Sequence, residues 1–171
     1  DAIIGKTMAV NETMIAPQKN KEAKESLAKM IRAQADEIAL THNVTDGINI
    51  AVWAFDLRRG DEVILTDQEH VGNALPWLNR KRREGIVLKS FHPAKTANEV
   101  LNQVSDMITS KTKVIAIPHI PCTTGQIYPI KQICELARSK GIYTIVDGAH
   151  GIGMIDLDVN DLGCDVYISC C

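Results

Sequence analysis

The residues able to do chemistry fall into short polar clusters, and each cluster follows an apolar run. They are Thr41-His-Asn-Val-Thr-Asp-Gly47, Asp67-Gln-Glu-His70, His119-Ile-Pro-Cys-Thr-Thr-Gly125, Asp147-Gly-Ala-His150 and Ser169-Cys-Cys171. In the first, Val44-Thr-Asp-Gly47 stands where a strand hands over to a helix. Amide groups at a helix start, together with a threonine hydroxyl, suit a phosphate. The plain alternative is Thr45 or Asp46 serving as an N-cap. In the fourth, the run Ile142 to Val146 delivers one carboxylate, Asp147, ahead of a small-residue turn that carries His150. A carboxylate there either pairs with a cation, which favours its ionised form, or caps the turn that follows. His70 offers a flat ring with two nitrogens; the alternative is a surface histidine opening the next helix.

The elements that must position these clusters alternate between apolar and amphipathic runs. Lys21 to Ala35 places Leu27, Met30, Ile31 and Ala35 on one helix face. Glu37 to Thr41 reads as a short strand. A helix is predicted from about Asp46 to Leu57, ended by Arg58-Arg-Gly60. Glu62 to Thr66 is a second strand, and the helix after it closes on Arg80-Lys-Arg-Arg83 and Gly85, a basic stretch read as a solvated helix end. Ile86 to Phe91 is a third strand, and Thr96-Ala-Asn-Glu99 is a capping box ahead of Val100, Leu101, Val104 and Ile108. Val114 to Ile117 is a strand closed by Pro118, Pro129 opens a helix that ends at Gly141, and Ile142 to Val146 and Val166 to Ile168 complete the set. Such alternation predicts a mainly parallel sheet covered by helices on both faces. Ligands of such sheets sit at the carboxyl ends of the strands, which is where the polar clusters fall.

A chain of 171 residues suits one core. A net charge of −2 gives no reason to expect nucleic acid or an acidic membrane surface as partner. No apolar run approaches the roughly eighteen residues of a membrane span. Asp1 to Val10 has neither a basic stretch nor a long apolar one, so no signal peptide is expected there. Five cysteines without a C-x-x-C pair argue against a zinc site or a disulfide framework and fit reduced thiols in a cytoplasmic protein.

In this order and spacing, the clusters resemble the class V aminotransferases. This family of pyridoxal 5′-phosphate (PLP) enzymes includes cysteine desulfurases and isopenicillin-N-epimerase-like proteins. The resemblance rests most on Val146-Asp-Gly-Ala-His150, then on Asn43-Val-Thr-Asp-Gly-Ile-Asn49 and Asp67-Gln-Glu-His70. It implies a three-layer α/β/α fold like the large domain of aspartate-aminotransferase-like enzymes. Residues 21–171 would form part of that domain, without its C-terminal part and the small domain, and residues 1–20 would be the remnant of a preceding segment. It also implies roles. Asp147 pairs with the pyridinium nitrogen and keeps it protonated, so the ring accepts electrons from a substrate carbanion. His70 stacks on the ring face and helps proton transfer. Thr45 and Asp46 lie at the phosphate, with Ser169 or Cys170 touching it as well, and His150 sits near the phenolic oxygen. His70 and Asp147 are thus the expected catalytic residues, and no metal is expected. Desulfurases usually carry an asparagine where Cys122 stands; a thiol is the poorer hydrogen-bond partner, which favours an epimerase-like or lyase-like relative. The family's Schiff-base lysine is due just beyond Cys171, and none of this chain's lysines sits in that context.

The function so implied is a PLP-dependent transformation of an amino acid by a cytoplasmic protein that is a homodimer when intact. Transamination, epimerisation and C–S lyase or desulfurase chemistry all begin with a carbanion at Cα. Beside it stands a second expectation, that this chain is a catalytically incomplete piece or a split-enzyme subunit that binds PLP noncovalently. A nicotinamide-binding Rossmann domain is disfavoured, because Gly148, Gly151 and Gly153 run in the reverse of the fingerprint with no clear helix after them.

Overall fold

Successive residues of a strand point to opposite faces, so a strand covered on both sides needs an unbroken apolar run. The computed structural model, which describes residues 15–170, shows this directly. β1 (Glu62–Thr66), β2 (Val87–Phe91), β3 (Thr112–Pro118), β4 (Tyr143–Asp147) and β5 (Val166–Ile168) form one sheet in the order β2-β1-β3-β4-β5. Every pairing is parallel. On one face, Val63, Leu65, Val114, Ala116 and Ile145 pack against Ile48 and Val52 of α2 (Val44–Ala54) and Trp77 of α3 (Val71–Glu84). On the other, Ile64, Ile115, Ile117 and Val146 meet Val100 and Val104 of α4 (Ala97–Met107) and Ile133, Cys134 and Ala137 of α5 (Ile130–Ser139). The predicted α/β/α sandwich is the observed one.

The sheet order places β3 at the centre, with β1 and β4 on either side of it. The connections leaving β1 and β3 run in opposite directions, which opens a crevice at the carboxyl ends between them. Local signals set the helix limits. Thr96 Oγ1 accepts from the Glu99 N–H (3.4 Å) while a Glu99 carboxylate oxygen accepts from the Thr96 N–H (3.2 Å), the capping box expected at α4. Gly85 closes α3 in the left-handed region, at φ 75°, with its N–H donating to the Lys81 carbonyl.

Four departures from the sequence expectations have physical causes. Glu37 to Thr41 is not a strand: Ala35–Glu37 is a 3-10 turn, closed by the Glu37 side chain accepting from the Gln34 N–H at 2.8 Å, and the following residues join no ladder. α2 starts earlier than predicted because Asn43, not Asp46, is its N-cap. α1 (Ile15–Ile31) ends at Arg32, which takes φ 58°, and its buried residue is Ala28 while Met30 of the expected stripe is 57 % exposed. Arg80 is no solvated helix end. It is 3 % exposed, pairs with Glu84 at 2.6 Å and donates to the Val52 and Phe55 carbonyls, which leaves Lys81, Arg82 and Arg83 as the exposed cations. A short α6 (Val159–Leu162), capped by Asp158, had no counterpart in the sequence pattern. Residues 1–14 and Cys171 lie outside the described residues.

Candidate functional site

A cleft of about 300 Å³ opens at the carboxyl ends of the strands. Thr45 and Ile48 of α2, Gln68 and His70 after β1, Ile120 and Cys122 after β3, Asp147 and His150 at the end of β4, and Cys170 after β5 all line it. Asp147 is its most buried charged group, 6 % exposed. The residue is held by backbone on both sides: the His119 N–H donates to its carbonyl at 2.8 Å, and the adjacent Gly148 N–H donates to Ile168 at 2.7 Å. Burial pushes the Asp147 carboxyl above its ordinary range, and the Ala149 N–H on Oδ1 (3.1 Å), His70 and His150 pull it back only in part. A cation placed in the cleft against this carboxyl would favour its ionised form.

The turn that carries His150 is small for a packing reason. A Cβ at Gly148 would sit 2.1 Å from Tyr167 Cε1, and one at Gly151 would sit 1.8 Å from its hydroxyl. The Tyr167 ring therefore lies directly against the turn. Its hydroxyl, kept protonated by burial, shares a 2.9 Å hydrogen bond with Nδ1 of the buried His119. Ser169 Oγ donates to the Gly148 carbonyl at 2.6 Å and locks the turn from the β5 side.

Two helix N-termini converge on the same opening. Asn43 Oδ1 accepts from the Asp46 N–H at 2.9 Å, and the amides of Val44 and Thr45 lie in the first turn, where no preceding helical carbonyl is in reach. His70 is the N-cap of α3, and its Nδ1 accepts from the Gly72 N–H at 3.1 Å. That bond requires an unprotonated Nδ1, so the neutral ring carries its proton on Nε2. At Gly72 a Cβ would stand 2.7 Å from Thr45 Oγ1, which shows how closely α2 and α3 approach here. Together the helix starts and the Thr45 hydroxyl offer donors to an anion, opposite the carboxylate of Asp147.

Behind His70 lies Glu69. Its carboxylate accepts from the Thr66 N–H (3.0 Å), the Thr66 hydroxyl (2.9 Å) and Asn73 Nδ2 (2.6 Å), yet burial outweighs these donors and lifts it to about 7. Gln68 accepts from the Thr123 hydroxyl at 2.6 Å and joins the loops after β1 and β3.

Of the residues expected at the site, Thr45, His70, Asp147, His150 and Cys170 line this one cleft. Asp46 does not. Its carboxylate is engaged with His42 Nδ1 at 2.8 Å, and its N–H is spent on Asn43. Ser169 faces instead a larger neighbouring cavity of about 390 Å³, lined by Leu27, Leu40, Ile152, Tyr167 and the margin at Cys170. The smaller cleft carries Asp147, His70, His150 and Thr45, none of which lines the larger cavity. Asn43, Gln68 and Ile120 line the smaller cleft too; the polar clusters include them, but the sequence assigns them no role. Asn43 had a signal, an N-cap type ahead of an amphipathic run; Ile120 had none. Among the described residues no cluster of three or more His, Cys, Asp or Glu side chains is arranged to hold a metal.

A model of the aminotransferase class-V family matches residues 6–170. The chain belongs to this family. Among similar class-V proteins are the isopenicillin N epimerase of Streptomyces clavuligerus, 35 % identical over 150 residues, and a probable cysteine desulfurase of Halalkalibacterium halodurans, 33 % identical over 149 residues. Each match covers 85 % of this chain and 37 % of the relative, so the chain spans less than two fifths of the length of these relatives. The cystine C-S lyase C-DES, solved in complex with its reaction product cysteine persulfide, superposes with a TM-score of 0.84 at 27 % identity, over 95 % of this chain and 44 % of that one. A mutant of that lyase, with glycine covalently linked to its PLP cofactor, matches equally well. PLP is the cofactor of the class-V family. The residues of the cleft fit such a group: a buried carboxyl in want of a cation, a planar imidazole beside it, and helix amides with a hydroxyl for a phosphate.

Proposed function

We propose that the chain supplies the phosphate, ring-face and ring-nitrogen contacts of a PLP site that serves amino-acid chemistry at Cα. The observation that carries this is the meeting of Asp147, His70 and His150 with the start of α2 in one cleft. Bound there, PLP supplies an electron sink for a carbanion at the substrate Cα. Asp147 would keep a proton on the ring nitrogen through its buried carboxylate. His70 would lie against the ring, with its Nε2–H as a proton donor. His150 would be the donor to the ring's phenolic oxygen, and the Val44 and Thr45 amides with the Thr45 hydroxyl would hold the phosphate. Apolar Ile48, Ile120 and Pro121 line the same cleft and limit the water beside the ring.

Proton loss at the substrate Cα is the reaction class proposed here; an epimerase, a cysteine desulfurase and a C-S lyase are named among the similar proteins. None of the residues lining the cleft is a lysine. The contacts that the described residues would make to PLP are therefore noncovalent, and in this reading the anchoring lysine lies outside them. In this reading, residues 15–170 are part of a large PLP-binding domain that works in the cytoplasm, where exposed thiols such as Cys122 and Cys170 stay reduced. No described helix is long and apolar enough to cross a membrane. A homodimer has a candidate face: Val71, Leu75 and Leu78 expose an apolar stripe along α3, beside Ile50 and Trp53 of α2.

The test is a PLP titration of the chain followed by visible absorbance, with borohydride reduction and peptide mapping. Saturable binding that Asp147→Asn weakens, with no lysine labelled within residues 15–170, is the expected result. A specific reduced adduct on one of those lysines, or no binding at all, would overturn the proposal.

A further inference from the structure

We infer that Glu69 is a positioning residue for the imidazole of His70, clamping the end of β1 to the first turn of α3 so that the ring is held at the cleft in one tautomer. The side chain of Glu69 turns inward while its neighbour lines the cleft. One carboxylate oxygen takes both the N–H and the hydroxyl of Thr66, the last residue of β1; the other takes the Asn73 amide. Thr66 and Asn73 are 3 % and 1 % exposed, so the clamp is anchored at both ends in the core. Between its ends lie the groups that orient His70. The Asn73 N–H donates back to the His70 carbonyl at 2.9 Å, and the Gly72 N–H donates to His70 Nδ1 at 3.1 Å. Release of Asn73 would free the first turn of α3, and with it the amide that fixes the tautomer.

The identity of the residue supports the same conclusion. A buried carboxylate is costly unless its bonds are needed. The three bonds of Glu69 join Thr66 at the end of β1 to Asn73 in the first turn of α3, and a buried acceptor, Asn73 Oδ1, remains without a partner there. A glutamine at position 69 can keep the Thr66 bonds through its amide oxygen. Its NH2 group can then meet Asn73 Oδ1 once that amide turns over.

The part of this inference that concerns a ligand rests on the PLP reading; the tautomer part does not. The test is nitrogen-15 NMR of the histidine rings in the wild-type chain, Glu69→Gln, Glu69→Ala and Asn73→Ala, first alone and then with PLP. Wild type and Glu69→Gln should show His70 with bare Nδ1 and protonated Nε2. Glu69→Ala should show mixed tautomers and bind PLP about tenfold more weakly. Asn73→Ala, which cuts only the helix end of the clamp, should mix the tautomers as well and serves if Glu69→Ala does not fold. A single, unchanged Nε2–H tautomer in a folded Glu69→Ala or Asn73→Ala chain overturns the inference, and so does a Glu69→Gln chain that behaves like Glu69→Ala. If the tautomers shift as expected while no variant, wild type included, binds PLP, the clamp stands and the cofactor reading falls.

Discussion

Replacing Glu69 by glutamine should make the folded chain less sensitive to rising pH. Burial lifts the folded-state carboxyl from its ordinary 4.5 to about 7. Between those two values the folded chain keeps a proton that the unfolded chain has released. Stability from this group is therefore complete below about pH 4.5 and is lost as pH rises through about 7. That gap corresponds to on the order of 3 kcal/mol. Glutamine is neutral throughout and carries no such loss. The groups around Glu69 that also carry charge are Asp147, whose carboxyl burial raises, and Asp67, held low by its bond to His92; the Tyr128 hydroxyl nearby stays protonated. They are common to both proteins, so the informative quantity is the difference between them. Urea unfolding of each, from about pH 4.5 to about pH 8, should show the glutamine variant gaining on the order of 3 kcal/mol over wild type. Parallel pH profiles would refute the reasoning, because they would mean that Glu69 titrates alike in the folded and unfolded chains.

Other substitutions test the packing. Gly151→Ala sets a methyl 1.8 Å from the Tyr167 hydroxyl and should cost about 1–3 kcal/mol in urea unfolding; an unchanged midpoint would show that Tyr167 does not press on the turn. Trp77→Ala empties the centre of the α2–α3 face, where Trp77 is 0 % exposed, and should cost about 3–5 kcal/mol by the same assay. Leu75→Lys together with Leu78→Lys, on the exposed stripe of α3, should shift the complete protein from the proposed dimer to monomer in sedimentation velocity and lower its melting temperature by the stabilisation the partner supplied.

The fold was legible because a parallel sheet buried on both faces leaves unmistakable apolar runs: β1, β3 and β4 stood out as such, and the capping box at Thr96 marked the start of α4. That Thr45, His70, Asp147, His150 and Cys170 share one cleft was legible because chain order in a parallel sheet already says where the loops after its strands gather. What escaped were relations made only in three dimensions. The Asp46–His42 pair, four residues apart, was within local reach, but nothing local says that Arg80 is buried under two carbonyls or that Tyr167 fills the space two glycines leave. The Ile38–Thr41 run failed as a strand for a similar reason: its apolar residues border a cavity beside β5 rather than a neighbouring strand.

The cleft is bordered by residues from Asn43 to Cys170, almost the whole described chain. No half of the sheet contains it; it comes into being only when β1, β3, β4 and β5 lie side by side. A ligand bound there recognises the completed sheet and nothing less, so its affinity adds to folding free energy in full. At a free concentration a hundred times the Kd this amounts to about 2.7 kcal/mol. Ligand bound there would therefore slow opening of the chain to a protease.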